Sequence, residues 1–171
     1  MADSNQNEHS QSEDVKKLAE MIKGIRIAML TTADEDGSLR SRPMATQDTD
    51  FDGTLWFFTA DDSPKVDEVQ KERHVNLSFA DGGKNRYVSV SGTATLVKDA
   101  AKMKELYSPF IKGWFPDGLE DPKLALLKVE VSQAEYWDAP NSTVVRLAGF
   151  VKALVTHQPI QGGENEKIDL K

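Results

Sequence analysis

Residues Arg86-Tyr87-Val88-Ser89-Val90-Ser91-Gly92-Thr93-Ala94-Thr95-Leu96-Val97 alternate in character along their whole length. Val88, Val90, Gly92, Ala94 and Leu96 share one face; Tyr87, Ser89, Ser91, Thr93 and Thr95 share the other. A period of two with β-branched residues on both faces is the pattern of a strand buried on one side. Upstream, Val75, Leu77 and Phe79 alternate in the same way and end at the turn Asp81-Gly82-Gly83, so the two stretches form a hairpin.

Further out, Ile25–Thr32 is an apolar run closed by Asp34-Glu35-Asp36-Gly37, and Ser38–Gln47 is its hairpin partner. Pro43 cannot donate to a ladder, which puts that partner strand at an edge or a bulge. Leu55–Thr59 follows the turn Asp52-Gly53, and a long strand runs from Leu124 to about Trp137. Helices fit between and beside the strands. One runs from Ser12 to Lys23, with Val15, Leu18, Ala19 and Ile22 on one face. Another starts at Ser63 as N-cap with Pro64 in its first turn and turns Val66 and Val69 inward. A third is capped by Asp99, and a last one covers about Ser142 to His157. Six antiparallel strands with peripheral helices predict a mainly-β barrel of the α+β class that closes on itself to hide its edges. One domain is expected over residues 12–157, with a polar, disordered 1–11 and a flexible 158–171.

The chain has 171 residues and a formal net charge of -7. Such a field repels nucleic acid and anionic membrane, so any phosphate site has to be a local cluster of cations. With no cysteine there is no disulfide, thiolate nucleophile or Cys-held metal, in keeping with a cytoplasmic chain. His9, His74 and His157 make no metal-ligand spacing, and neither a signal peptide nor a membrane-spanning run is visible. No GxxxxGK[ST], GxGxxG after a strand, or GxSxG elbow occurs.

One grouping departs from a bland acidic surface. Arg40, Arg42, Pro43 and Met44 lie on the second strand, and Phe57, Phe58 and Thr59 end the aromatic third strand. Ser63 and Lys65 then open a helix. Arg42, Lys65, Ser63 and the free N–H groups of a helix start are the donors that hold a phosphate. Backbone at a strand end can meet the polar edge of a flat ring. Trp114, in a loop bounded by Gly113 and Pro116, packs on its own helix, closes over a ligand as a lid, or meets another copy of the chain.

These pieces, together with Ile27-Ala28-Met29-Leu30-Thr31-Thr32 and Tyr136-Trp137-Asp138, resemble the flavin-binding split barrels related to pyridoxamine-phosphate oxidase. Within that family the likeness is to the bacterial general stress proteins, and it runs from about Val15 to Leu154. The resemblance implies a six-stranded split β-barrel and a homodimer with FMN, or alternatively FAD, between subunits. It assigns the phosphate to Arg42 and Lys65 with Ser63 nearby, and the ring to backbone around Pro43, Met44, Phe58 and Thr59. Trp114 would approach from the partner chain, and Arg40 would stand near the reduced ring. Pro64 stands where the oxidases carry a basic residue, and Val144-Val145-Arg146-Leu147 replaces their C-terminal Arg/His motif. The resemblance therefore implies flavin binding, as an oxidoreductase or as a non-catalytic carrier, buffer or sensor, and not vitamin B6 oxidation. Haem handling on the same barrel is disfavoured, because no His or Cys is placed as an axial ligand.

Overall fold

The computed structural model describes residues 13–138 and 164–170. A helix over residues 13–22 (α1) is followed by β1 (Ile27–Ala33), β2 (Leu39–Ala45), β3 (Thr54–Ala60) and α2 (Pro64–Lys71). Then come β4 (His74–Asp81), β5 (Arg86–Val97), α3 (Ala100–Leu106), β6 (Leu124–Asp138) and β7 (Glu164–Asp169). Two short 3-10 turns, Pro109–Gly113 and Gly118–Glu120, lie between α3 and β6. The expected helix over 142–157 and the expected disorder of 1–11 lie outside the described residues.

Every strand pairing is antiparallel, and the order is β2-β1-β4-β5-β6-β3, with β7 also on β6. The α+β split sheet is the architecture that the alternation predicts, with one correction. β2 and β3 end the order and do not pair with each other, so the sheet stays open there instead of closing on itself. β2, the strand with Pro43, is one of those two edges, the position a residue without an N–H tolerates.

A second correction concerns the C-terminal end. Glu164–Asp169, within the stretch expected to be a flexible tail, pairs with Gln133–Asp138 of β6. The first half of the same edge of β6 is covered by β3. Only Ile168 of β7 is buried, so the sequence carries no alternation to announce a strand. Side chains anchor it instead. The Tyr136 hydroxyl donates to Glu166 Oε2 at 2.8 Å, and Asn165 Nδ2 donates to the Tyr136 carbonyl at 3.1 Å. Burial first, and then the Glu166 carboxylate, push the Tyr136 phenol up to about 12.

The main core gathers Leu18 and Met21 of α1 with Leu30, Phe57, Leu77, Phe79, Val88, Val90 and Leu127. A second, smaller core joins Phe58, Leu106, Ile111, Leu124 and Leu126, with Trp56, Tyr107 and Phe115 against it. β3 thus separates two cores: Phe57 points into the first, Trp56 and Phe58 into the second. Burying a side chain such as Phe57 stabilises the fold by about 1.5–3 kcal/mol, which holds this end strand despite its single partner.

β5 shifts register against β6 between Ser91 and Gly92. A β-carbon at Gly92 would lie 2.3 Å from the Glu130 carbonyl oxygen and 3.1 Å from Val131 Cα. Both are backbone atoms and cannot rotate away, so the bulge requires glycine. Gly92→Ala should therefore destabilise the protein by about 3 kcal/mol in denaturant unfolding. A loss below about 0.5 kcal/mol would show that the two strands separate without strain.

Candidate functional site

The cations singled out in the sequence meet at one end of the open sheet. Alternation on β2 puts Arg40, Arg42 and Met44 on one face, and Met44 is buried in the core while the two arginines lie beyond its rim. The turn after β3 reverses the chain into α2, whose first turn faces them. Ser63 occupies the N-cap position and Pro64 the first turn, as expected, but the Ser63 hydroxyl does not cap the helix. It accepts from Lys65 Nζ at 3.0 Å and lies 3.2 Å from Thr59 Oγ1. A hydroxyl chain therefore runs from the end of β3 to the ammonium group.

The centre of the cluster is a residue the sequence reading passed over. Glu68 of α2 is buried, with a side chain only 6 % exposed. Its Oε2 accepts from Arg42 Nη2 at 2.7 Å and from the Thr32 hydroxyl, while Arg42 Nη1 donates to Thr32 Oγ1 at 2.5 Å. Arg40 Nη1 lies 3.5 Å from Glu68 Oε1, and its Nη2 lies 3.3 Å from Asp34 Oδ2. One available signal was spacing: Lys65 and Glu68 are three apart on a helix and therefore share a face. Thr32, at the buried end of an apolar strand, carries no such mark.

Lys65 is set apart from the other cations. Among the described residues it forms no ion pair; its hydrogen bond goes to a neutral hydroxyl. Burial, and then the Arg42 charge, lower its pKa from the ordinary 10.5, and Glu68 only partly opposes this. A cation kept half-buried beside another cation is in electrostatic tension, which an external anion would relieve.

The remaining candidates divide between backbone and side chain. Phe57 and Phe58 point into the two cores and Thr59 is buried, so only their backbone faces the open edge. Pro43 is exposed on the opposite edge strand. Trp114 does not join the cluster. It stands in the first 3-10 turn region, 56 % exposed, edge-on to Phe110 with ring centroids 4.9 Å apart.

The two best-formed cavities among the described residues do not take in Arg42 or Lys65. One, of about 530 Å³, lies at the other end of the split, between α1, Thr46–Phe51 and the start of β3. A second, shallower one of about 520 Å³ includes Thr32 and Leu39 but neither Arg42 nor Lys65. What sets the cluster apart is its geometry and charge, not a cavity. Among the described residues no group of His, Asp and Glu is arranged to hold a metal ion.

Comparison with known proteins fits this arrangement. A family model described as "Pyridoxamine 5'-phosphate oxidase like" matches residues 13–161. The chain is 31 % identical to Protein bli-3 of Neurospora crassa over 85 % of its own length and 74 % of that protein. It is 28 % identical to General stress protein 26 of Bacillus subtilis, over 79 % of the chain and 96 % of the relative. A crystal structure of the general stress FMN/FAD binding protein from Xanthomonas citri superposes with a TM-score of 0.64 at 31 % identity. That alignment covers 77 % of this chain and 92 % of that one.

The electrostatic tension at Lys65 has a measurable consequence. Its folded pKa is below 10.5, so the folded state holds fewer protons than the unfolded one between the two values. The protonated lysine therefore costs stability at neutral pH, and the cost fades as pH rises through the lowered pKa towards 10.5. Lys65→Met should raise the melting temperature of the ligand-free protein at pH 7 by up to about 3 °C, with the gain shrinking as pH rises through the lowered pKa towards 10.5. A lower melting temperature at pH 7 would mean that the ammonium stabilises the fold.

Proposed function

The chain belongs to the pyridoxamine 5'-phosphate oxidase-like family, and from that premise we propose that it is a cytoplasmic flavoprotein of the general stress type. In this reading it binds FMN, with FAD as the second ligand the same open groove admits, and acts as a homodimer with the flavin between subunits. The observation that carries it is the meeting of Arg42, Lys65 and Ser63 on an otherwise acidic chain. Arg42 supplies a planar fork and Lys65 a point charge to a phosphate, and Ser63 a hydroxyl. Arg40 adds a further positive charge at the rim.

The open edges of β2 and β3 fit the flat part of such a ligand. Neither edge is paired with another strand among the described residues, and Pro43, Met44, Phe58 and Thr59 lie along them. The described residues put no roof over the site, and a second copy would supply it. Ile27, Met29, Tyr87 and Trp137 are exposed on the outer face of the sheet, with Tyr87 directly opposite Trp137 in register. Apolar side chains gathered on one sheet face are what an interface between subunits uses. Trp114, exposed in its turn, would reach the ring from the second copy.

Bound flavin supplies hydride and electron transfer, while the chain's own residues bind, orient and set the local charge. Around the anion site the groups are two guanidiniums, an ammonium, a paired carboxylate and hydroxyls. The carboxylate and the guanidiniums are paired with one another, and the ammonium is the group this reading gives to the phosphate. That composition favours, as the second reading, a non-catalytic flavin carrier, buffer or stress sensor.

Purified protein should be yellow and release FMN or FAD on denaturation; a colourless protein that ignores both ends the flavin reading. Two charge-assisted hydrogen bonds are worth about 1.5–3 kcal/mol each, so Arg42→Ala with Lys65→Ala should weaken FMN about 10²–10⁴-fold. Binding within about threefold of the parent would remove the phosphate from those two residues. Trp114→Ala should weaken flavin about tenfold if the second copy covers the ring, as read by fluorescence titration. Enzyme and carrier separate on NADH or NADPH: bleaching of bound flavin faster than of free flavin marks turnover, and equal rates mark a carrier.

A further inference from the structure

Glu68 repels any phosphate brought to Arg42 and Lys65, yet it sits at the heart of their cluster and is almost fully buried. A carboxylate at that depth persists only if it is paired and hydrogen-bonded. Its partners close a triangle: Arg42 Nη2 to Glu68 at 2.7 Å, the Thr32 hydroxyl to the same oxygen, and Arg42 Nη1 to Thr32 at 2.5 Å. A guanidinium is planar and carries five N–H groups. Bonding both terminal nitrogens fixes its plane and consumes one N–H from each, so the direction of its other donors is set before a ligand arrives. The triangle draws on β1, β2 and α2 together, so a shift of any one of them would turn the fork.

We propose that Glu68 is the positioning residue of the anion site: with Thr32 it locks the Arg42 guanidinium in the phosphate-receiving orientation through the hydrogen bonds its side chain accepts. The role is one of preorganisation. The contacts that hold a phosphate are realised without first ordering a long side chain, which is where binding free energy is otherwise lost. Its sole dependence on the flavin reading is the identity of the anion.

The test compares FMN with riboflavin, which lacks the phosphate, so that the ratio of their dissociation constants reads the anion site alone. In Glu68→Ala the preference for FMN should fall about tenfold or more, while the riboflavin constant stays within about twofold. Glu68→Gln, whose amide oxygen still accepts from Arg42, should keep the preference within about threefold of the parent. A parallel loss of both ligands would make Glu68 a structural strut only. An unchanged ratio in Glu68→Ala, or a Gln variant as poor as the Ala one, would also overturn the proposal.

If Glu68→Ala does not fold, Thr32→Val takes its place. It removes the hydroxyl bonded to Arg42 and keeps the carboxylate, and the FMN preference should again fall without loss of riboflavin. If the parent binds neither flavin, the flavin reading fails separately, and inorganic phosphate becomes the probe. Phosphate should then raise the melting temperature of the parent and not that of Glu68→Ala or Thr32→Val. A parent indifferent to phosphate overturns the positioning role as well.

Discussion

A buried carboxylate held between two arginines and a threonine is the interaction on which the working end of this protein depends. Taking a charge out of water costs several kcal/mol, and the Glu68 pair recovers that cost only through short, well-aligned bonds to Arg42 and Thr32. Those bonds tie the first helical turns of α2 to the end of β1 and the start of β2. They also decide what the remaining charges can do. Arg42 is oriented, Arg40 is shared between Glu68 and Asp34, and Lys65 is left beside a neutral hydroxyl with its charge uncompensated by any ion pair among the described residues. On an acidic chain, cations are thus gathered locally at this end of the sheet, against the sign of the overall charge.

The second constraint is the open sheet. Each strand edge exposes backbone donors and acceptors, and proteins cover them or put them to use. Here the free edge of the second half of β6 is covered by β7, a polar strand held by Tyr136, Asn165 and the single buried Ile168. Among the described residues no strand covers the free edges of β2 and β3, which carry the residues that flank the cation cluster. Closing the barrel would have paired those edges with each other.

These two features account together for why the family reading and the physical reading agree. Membership in the pyridoxamine 5'-phosphate oxidase-like family places the chain among proteins related to a flavin-binding crystal structure. The coordinates, taken alone, show oriented cations, a hydroxyl relay from Thr59 through Ser63 to Lys65, and backbone edges suited to a flat polar ring. The described residues build the donors, and Ile27, Met29, Tyr87 and Trp137 leave an exposed apolar strip across β1, β5 and β6.

Local pattern alone determined much of this molecule. Alternation in Arg86–Val97 and its neighbours marked six strands, turn residues at Asp34–Gly37 set the first hairpin, Asp52-Gly53 marked the turn before β3, and Pro43 marked an edge. That Arg42 and Lys65 stand near one another was expected from cations gathered around an aromatic strand and from the family resemblance, and the Arg42 charge does act on Lys65. Tertiary structure alone decided the rest. β7 exists because β6 offered an uncovered edge, a fact absent from the polar sequence of β7 itself. The sheet stays open because β2 and β3 end its order, which no local propensity encodes. Glu68 and Thr32 matter because three elements distant in sequence exclude water around them. Burial and dielectric are properties of the assembled fold, so a carboxylate that reads as surface in the chain becomes the organising charge of the site.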